Sequence, residues 1–138
     1  MSLSGKSNIN PTIWGPYIWK TIHFVAHGYP EKPNDEDKKA YYDFYENLMK
    51  VLPCDKCSIS SQELFKKINI TSGLHSREYL IKWAYKFHDA VNKKLGKVSP
   101  PFEDYINTII LSDESFDYGA IIIILLIVIF IIYMSFKN

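Results

Sequence analysis

Apolar positions recur every three or four residues in four stretches of this chain, the pattern of helices that bury one face. The first runs from Trp14 to Gly28, with Trp14, Tyr17, Ile18, Ile22 and Val25 on one stripe. A second stripe on it, Trp19, His23 and Ala26, faces another way. Gly28-Tyr29-Pro30 stops it. The second begins at Asn34 or Asp35, with Asp35, Glu36 and Asp37 complementing its dipole, and buries Tyr41, Phe44, Tyr45, Leu48 and Leu52. Pro53 breaks it, and a third helix enters through Cys54-Asp55-Lys56-Cys57 and ends near Ile68. Residues 69–75 read as a loop containing Gly73. Ser76 caps a fourth helix, in which Tyr79, Leu80, Trp83, Phe87 and Val91 form the stripe and Gly96 the stop. A short fifth helix is expected at 102–110. No stretch alternates as a strand does, so the expected fold is all-α, a four-helix bundle plus the short fifth helix.

The C-terminal pattern is different. Residues 118–136 carry no charge and are apolar on every face. At about 1.5 Å per residue they reach roughly 28 Å, close to the hydrocarbon thickness of a bilayer. Tyr118 and Tyr133 stand where interfacial aromatics belong, with Lys137 beyond. The expected layout is a polar N-terminal tail over 1–10, a bundle domain over 11–108, a linker over 109–117 and a transmembrane helix over 118–136. Residues 1–12 contain no apolar core of a secretory signal, which favours a tail-anchored head facing the cytosol. Lys137 against Asp113, Glu114 and Asp117 weakly suggests the reverse orientation.

Charge narrows the function. The 16 basic and 15 acidic side chains leave a formal +1, and a near-neutral surface gains little from counterion release, so nucleic acid is not an expected partner. Ten Tyr, eight Phe and three Trp either fill a core, the plainer reading for most of them, or line a pocket for a flat ligand.

Two cysteines build no disulfide framework, so Cys54 and Cys57 serve their own chemistry or a metal. A thioredoxin-like site needs a strand before the dithiol, and none is visible. A zinc site needs two further ligands; 17 residues separate Cys57 from His75 and 12 separate His75 from His88, which misses the usual finger spacing. His23 and His27, one turn apart, can still close a site across the bundle. The third reading is a redox disulfide at a helix N-terminus, where the dipole lowers a thiol pKa, with Cys54 the outer sulfur and Cys57 facing the bundle. A dithiol only exchanges electrons, so net oxidation requires an acceptor, and the surplus of rings suggests a flat one.

Trp19-x3-His23, then Tyr29-Pro30, then Pro53-Cys54-x2-Cys57, then Trp83 and His88-x3-Asn92-x-Lys94-Leu95-Gly96-Lys97 resemble, in order and distance, the Erv/ALR family of FAD-linked sulfhydryl oxidases. The resemblance spans about 15–102, and the short head and Ile/Lys/Asn-rich composition resemble members from large DNA viruses of mimivirus type. It implies a homodimeric helical bundle with FAD in its mouth. Protein dithiols, or a thioredoxin-like relay protein, would be oxidised by Cys54 and Cys57, with electrons leaving through FAD to O2 and giving hydrogen peroxide. By motif match, Gly15, Trp19, His23, Tyr29 and Trp83, with His88, Val91, Asn92, Lys94 and Lys97, would hold the cofactor. The plainer alternatives stand beside this. Trp19 and Trp83 are then core residues, and Lys93 to Lys97 a solvated helix end. The protein is then a zinc-binding or redox-inactive tail-anchored adaptor.

The chain departs from the family pattern at four places. Tyr85 and Phe102 stand where many relatives pair two structural cysteines, and are expected to pack together. A separate shuttle cysteine pair is lacking, so substrate must reach Cys54 directly or through another protein. Asp89 replaces an Asn, and would weaken diphosphate binding if it faced the cofactor. A Trp near the cofactor is replaced by Phe102 or Tyr105.

Overall fold

The computed structural model describes residues 5–111, 122–129 and 134. Its elements are α1 (Pro11–His27), α2 (Asp35–Val51), α3 (Asp55–Lys67), a 3-10 helix (Ile70–His75), α4 (Arg77–Lys94) and α5 (Phe102–Leu111). There is no strand among the described residues.

Local chemistry sets each helix end. α1 starts three residues before the expected Trp14, because Asn10 accepts from the Thr12 N–H and Pro11 fills the first helical position. Asn34 and Asp37 form a reciprocal capping box at the start of α2. Ser76 occupies the expected N-cap of α4, but its side chain makes no capping bond. The expected loop at 69–75 is largely helical: Asn69 accepts from the Thr71 N–H to start the 3-10 turn, which buries Ile70 and Leu74.

Cross-helix bonds fix the topology. Tyr45 donates its hydroxyl to the Ile22 carbonyl at 2.9 Å, and Tyr41 to that of Gly28, so α1 and α2 run antiparallel. Ser58 donates to the Met49 carbonyl at 2.8 Å while Tyr42 meets Phe65, turning α3 back along α2. Lys94 reaches Ser60 and the Trp83 indole reaches the Ile68 carbonyl, which sets α4 antiparallel to α3. Trp19 against His88 and the Arg77 guanidinium on the Tyr29 carbonyl then return α4 alongside α1. The result is an up-down-up-down bundle around Ile22, Tyr45, Met49, Ile70, Leu80, Trp83 and Phe87. Tyr85 and Phe102 do meet edge to face, 5.2 Å between centroids.

The chain divides into two compact units, Met1–Phe102 and Glu103–Asn138. α5 lies almost wholly in the second. Within that unit, 122–129 are helical and their apolar side chains exposed. No helix among the described residues is long and apolar enough to cross a membrane. Most of the linker expected at 109–117, and 118–121, 130–133 and 135–136 of the expected span, lie outside the described residues.

Candidate active site

The turn Leu52-Pro53 ends α2 and delivers Cys54 in an extended conformation to the N-cap of α3. Cys54 and Cys57 are closed as a disulfide, Cα atoms 5.2 Å apart, and Cys54 Sγ accepts from the Cys57 N–H at 3.2 Å. Cys57 packs against the core cluster, and both cysteines are half-buried. Ser58 clamps this first turn to α2 through the Met49 and Lys50 carbonyls.

A second constellation joins α1 to α4. Trp19 stacks on His88, 3.8 Å between centroids and 6° between planes. His23 Nε2 lies 3.3 Å from His88 Nδ1, so one of the two nitrogens donates and the other accepts. Phe87 meets Trp19 from the core side at 6.2 Å. Burial, then the neighbouring His88, drive the His23 pKa down from 6.5 to about 3. Burial chiefly takes His88 to about 4, opposed by Asp89. Both rings are therefore neutral at pH 7.

This carries a pH consequence. The unfolded chain protonates these histidines as pH falls below 6.5, whereas the native bundle keeps them neutral down to about 4. Their contribution to stability is complete above pH 6.5 and is lost progressively below it. The expected loss for His23 is up to about 1.4 kcal/mol per pH unit, and less for His88, which stays partly in water. Thermal unfolding of the protein from pH 7 to pH 5 should show it. A His23→Gln variant should flatten the dependence; an unchanged slope in that variant would refute the assignment.

The C-terminal end of α4 is cationic. Lys94 Nζ bonds Ser60 Oγ at 3.0 Å, one turn beyond Cys57 on α3, and Lys97 is exposed. Asn92 holds the loop through Ser99 at 3.0 Å and through the Lys97 N–H. Asp89 pairs with Lys93 at 2.7 Å, and that bond holds its carboxyl below the usual range. The extra negative charge expected from Asp89 is thus met within its own helix.

The site residues expected from the sequence separate into two groups. Trp19, His23 and His88 are in mutual contact; Asn92, Lys94 and Lys97 form the adjoining cationic end; Gly15 borders open space; Val91 is half-buried against the core. Tyr29 and Trp83 lie elsewhere. Tyr29 is fully buried against Tyr41 with its hydroxyl on the Leu74 carbonyl, and Trp83 is 4% exposed with its N–H on Ile68. The sequence reading missed Ser60, which ties the cationic end to the dithiol helix, and Phe87 as the ring behind Trp19. It also missed residues 6–9, read as a polar tail but bonded around the dithiol. Helical spacing from Cys57 and from Trp83 pointed to the first two; nothing local marks the third. Among the described residues, no group of three or more His, Cys, Asp or Glu side chains is placed to hold a metal.

The chain is similar to known proteins in sequence and in fold. A probable FAD-linked sulfhydryl oxidase of Acanthamoeba polyphaga mimivirus is 40% identical over 102 residues, covering 73% of this chain and 71% of that protein. An FAD-linked sulfhydryl oxidase of African swine fever virus is 30% identical over 94 residues, covering 68% and 77%. Among solved structures, the FAD-binding domain of Erv1 from Saccharomyces cerevisiae superposes with a TM-score of 0.66 at 27% identity, over 72% of this chain and 93% of that one. The family model for Erv1/Alr matches residues 16–108, the stretch that carries the disulfide, the stacked rings and the cationic helix end. A match over this much of the chain makes it a member of the Erv1/Alr family.

Proposed function

We propose that this protein is an FAD-linked sulfhydryl oxidase that makes disulfides in protein substrates. The observation that carries the reading is the disulfide at the N-terminus of α3, joined through Ser60 and Lys94 to the end of α4 that also presents His88. The residues present fit FAD. Trp19 and His88 form a half-buried stack of flat rings against which a heterocycle can pack, His23 and His88 are neutral partners able to donate or accept, and Lys94 and Lys97 match a diphosphate. Bound FAD would take two electrons from the dithiol and pass them to O2, yielding hydrogen peroxide.

The chain's own residues perform the thiol exchange. A substrate thiolate attacks Cys54, the sulfur outside the core; a substrate–Cys54 bond forms, the Cys54–Cys57 bond breaks, and Cys57 leaves as thiolate. The substrate's second thiolate then displaces Cys54, so the substrate is oxidised and the pair reduced by two electrons. The Cys57 N–H already on Cys54 Sγ, with the positive end of α3, favours the Cys54 thiolate this releases. With no second cysteine pair in the chain, the substrate is a protein dithiol met directly or a thioredoxin-like relay protein.

Three further parts of the reading rest on composition and exposure. The domain is taken as 11–108. Exposed Ile13, Tyr17 and Phe24 share one face of α1 and support a homodimer. The charge-free stretch 118–136 supports a C-terminal membrane anchor with the head on the cytosolic side of a host or virion membrane.

The test is direct. Full-length protein in detergent, supplied with FAD and desalted, should stay yellow, consume O2 with dithiothreitol and release one hydrogen peroxide per disulfide formed. Failure of the folded protein to retain FAD would overturn the reading; retained FAD without thiol-dependent O2 uptake would favour the redox-inactive scaffold.

A further inference from the structure

The polar N-terminus is bound around the redox disulfide at several points. Lys6 Nζ donates to the Lys50 carbonyl at 2.7 Å, at the end of α2. The Ile9 N–H donates to the Pro53 carbonyl at 2.9 Å, immediately before Cys54. Asn8 Oδ1 accepts from the Asp55 N–H at 2.9 Å, immediately after it. The Trp14 indole holds the Ile9 carbonyl at 2.9 Å, tethering this strap to α1. Cys54 is thus bracketed on both sides by residues 8 and 9.

The bond to Asp55 matters because of its position. An N-cap side chain reaches the second or third N–H of its helix, not the first. Cys54 Sγ accordingly accepts from the N–H of Cys57, and the N–H of Asp55 donates to Asn8 Oδ1. Asn8 also turns its amide toward Asp55 Oδ2 at 3.4 Å. The other oxygen, Oδ1, is buried without a hydrogen-bond partner among the described residues. Asn8 Nδ2 also donates to the Lys6 carbonyl at 3.3 Å, so this one side chain ties the strap to both the backbone and the carboxylate of the residue that follows Cys54. The neighbouring cations do not replace it: Lys6 is engaged at Lys50, Lys50 at Glu46, and Lys56 is exposed.

We infer that Asn8 is a positioning residue for the redox disulfide, holding the Asp55 carboxylate so that its charge does not bear on the reduced Cys54 sulfur. The inference rests on the thiol-oxidase reading. A carboxylate released toward Cys54 disfavours the thiolate, makes the dithiol less stable relative to the disulfide, and so weakens the pair as an oxidant of incoming thiols.

The test equilibrates the FAD-loaded full chain with glutathione without oxygen. Two glutathione thiols reduce Cys54–Cys57 to the dithiol and leave as one glutathione disulfide; acid quench, alkylation and mass then give the reduced fraction. Asn8 has a φ of 49°, which glycine adopts at no steric cost, so Asn8→Gly removes the side chain alone. The equilibrium constant for reduction should fall about three- to tenfold, tenfold being about 30 mV. Asn8→Ser, which keeps an oxygen for the Asp55 N–H but no amide, should shift it the same way. In an Asp55→Asn background, Asn8→Gly should change it less than about twofold, because no charge remains to be placed. An Asn8→Gly equilibrium within twofold of wild type, or an equal shift in both backgrounds, would overturn the inference. Oxygen uptake by the wild type in the same preparation separates the two ideas: its absence refutes the oxidase reading, and its presence with an unmoved equilibrium refutes only the role of Asn8.

Discussion

Cys57→Ser should leave the protein folded and yellow while lowering thiol-dependent O2 consumption at least about a thousandfold, since a covalent relay missing one member loses the whole pathway. The sulfur lost is the one packed against the core. Without it Cys54 is a lone thiol with no disulfide for a substrate thiolate to attack, so exchange does not begin and no dithiol forms. Anaerobic dithiothreitol should then fail to bleach the flavin band. The fold should survive, because a disulfide three residues apart closes a small loop, worth about 2 kcal/mol in the chain-entropy picture, and the Ser58 clamp to α2 is untouched. Cys54→Ser should be equally inactive yet at least as stable, because serine is a good N-cap and cysteine here occupies that position. Inactivity together with this order of stability separates a redox role from a structural one. Turnover within tenfold of wild type in Cys57→Ser would refute the mechanism.

The sequence exposed what is local and hid what is contributed from a distance. Four amphipathic stripes, Pro53, Gly28 and Gly96 placed the helices, because period and end signals act within one or two turns. The dithiol at a helix entrance was legible for the same reason. The start of α1 was read late because Asn10-Pro11 acts before the apolar stripe begins. The turn at 70–75 passed for a loop because Ile70 and Leu74 are too few to show a period. Tyr29 and Trp83 could not be assigned to core or cofactor from composition, since a ring suits both until its neighbours are known. Asn8 gave no sign at all: its partner is 47 residues away, and an asparagine in a polar stretch looks like any solvated residue. The neutral state of His23 likewise depends on burial and on His88, 65 residues on.

Trp83→Ala should cost about 3 to 5 kcal/mol of stability, the usual range for deleting a buried large aromatic. Trp83 stacks on Phe87 at 5.3 Å and meets Tyr45 and Phe65 edge-on at 5.0 and 5.8 Å, so its removal strips contacts from three helices. It also leaves the Ile68 carbonyl, at the end of α3, without the indole N–H. Collapse into the gap is hindered on one side, because the Gly73 backbone already lies so close that a Cβ there would stand 2.9 Å from the Trp83 Cβ. Trp83→Phe should cost less, since it keeps a ring and loses the bond and part of the volume. The same pair of variants decides which side of α4 meets the flavin. Ligand linkage raises stability by about 2.7 kcal/mol at a hundredfold excess over Kd, whatever the starting stability. If Trp83 is core, saturating FAD should raise the unfolding free energy of Trp83→Ala by the same amount as that of wild type, although both values start lower in the variant. If Trp83 touches the flavin, the increment itself should shrink. Equal increments are expected, because Trp83 is buried among Tyr45, Phe65 and Phe87, while the exposed edge of the ring cluster is formed by Trp19 and His88. Phe87, which meets both Trp83 and Trp19, is one route by which core damage can reach the site.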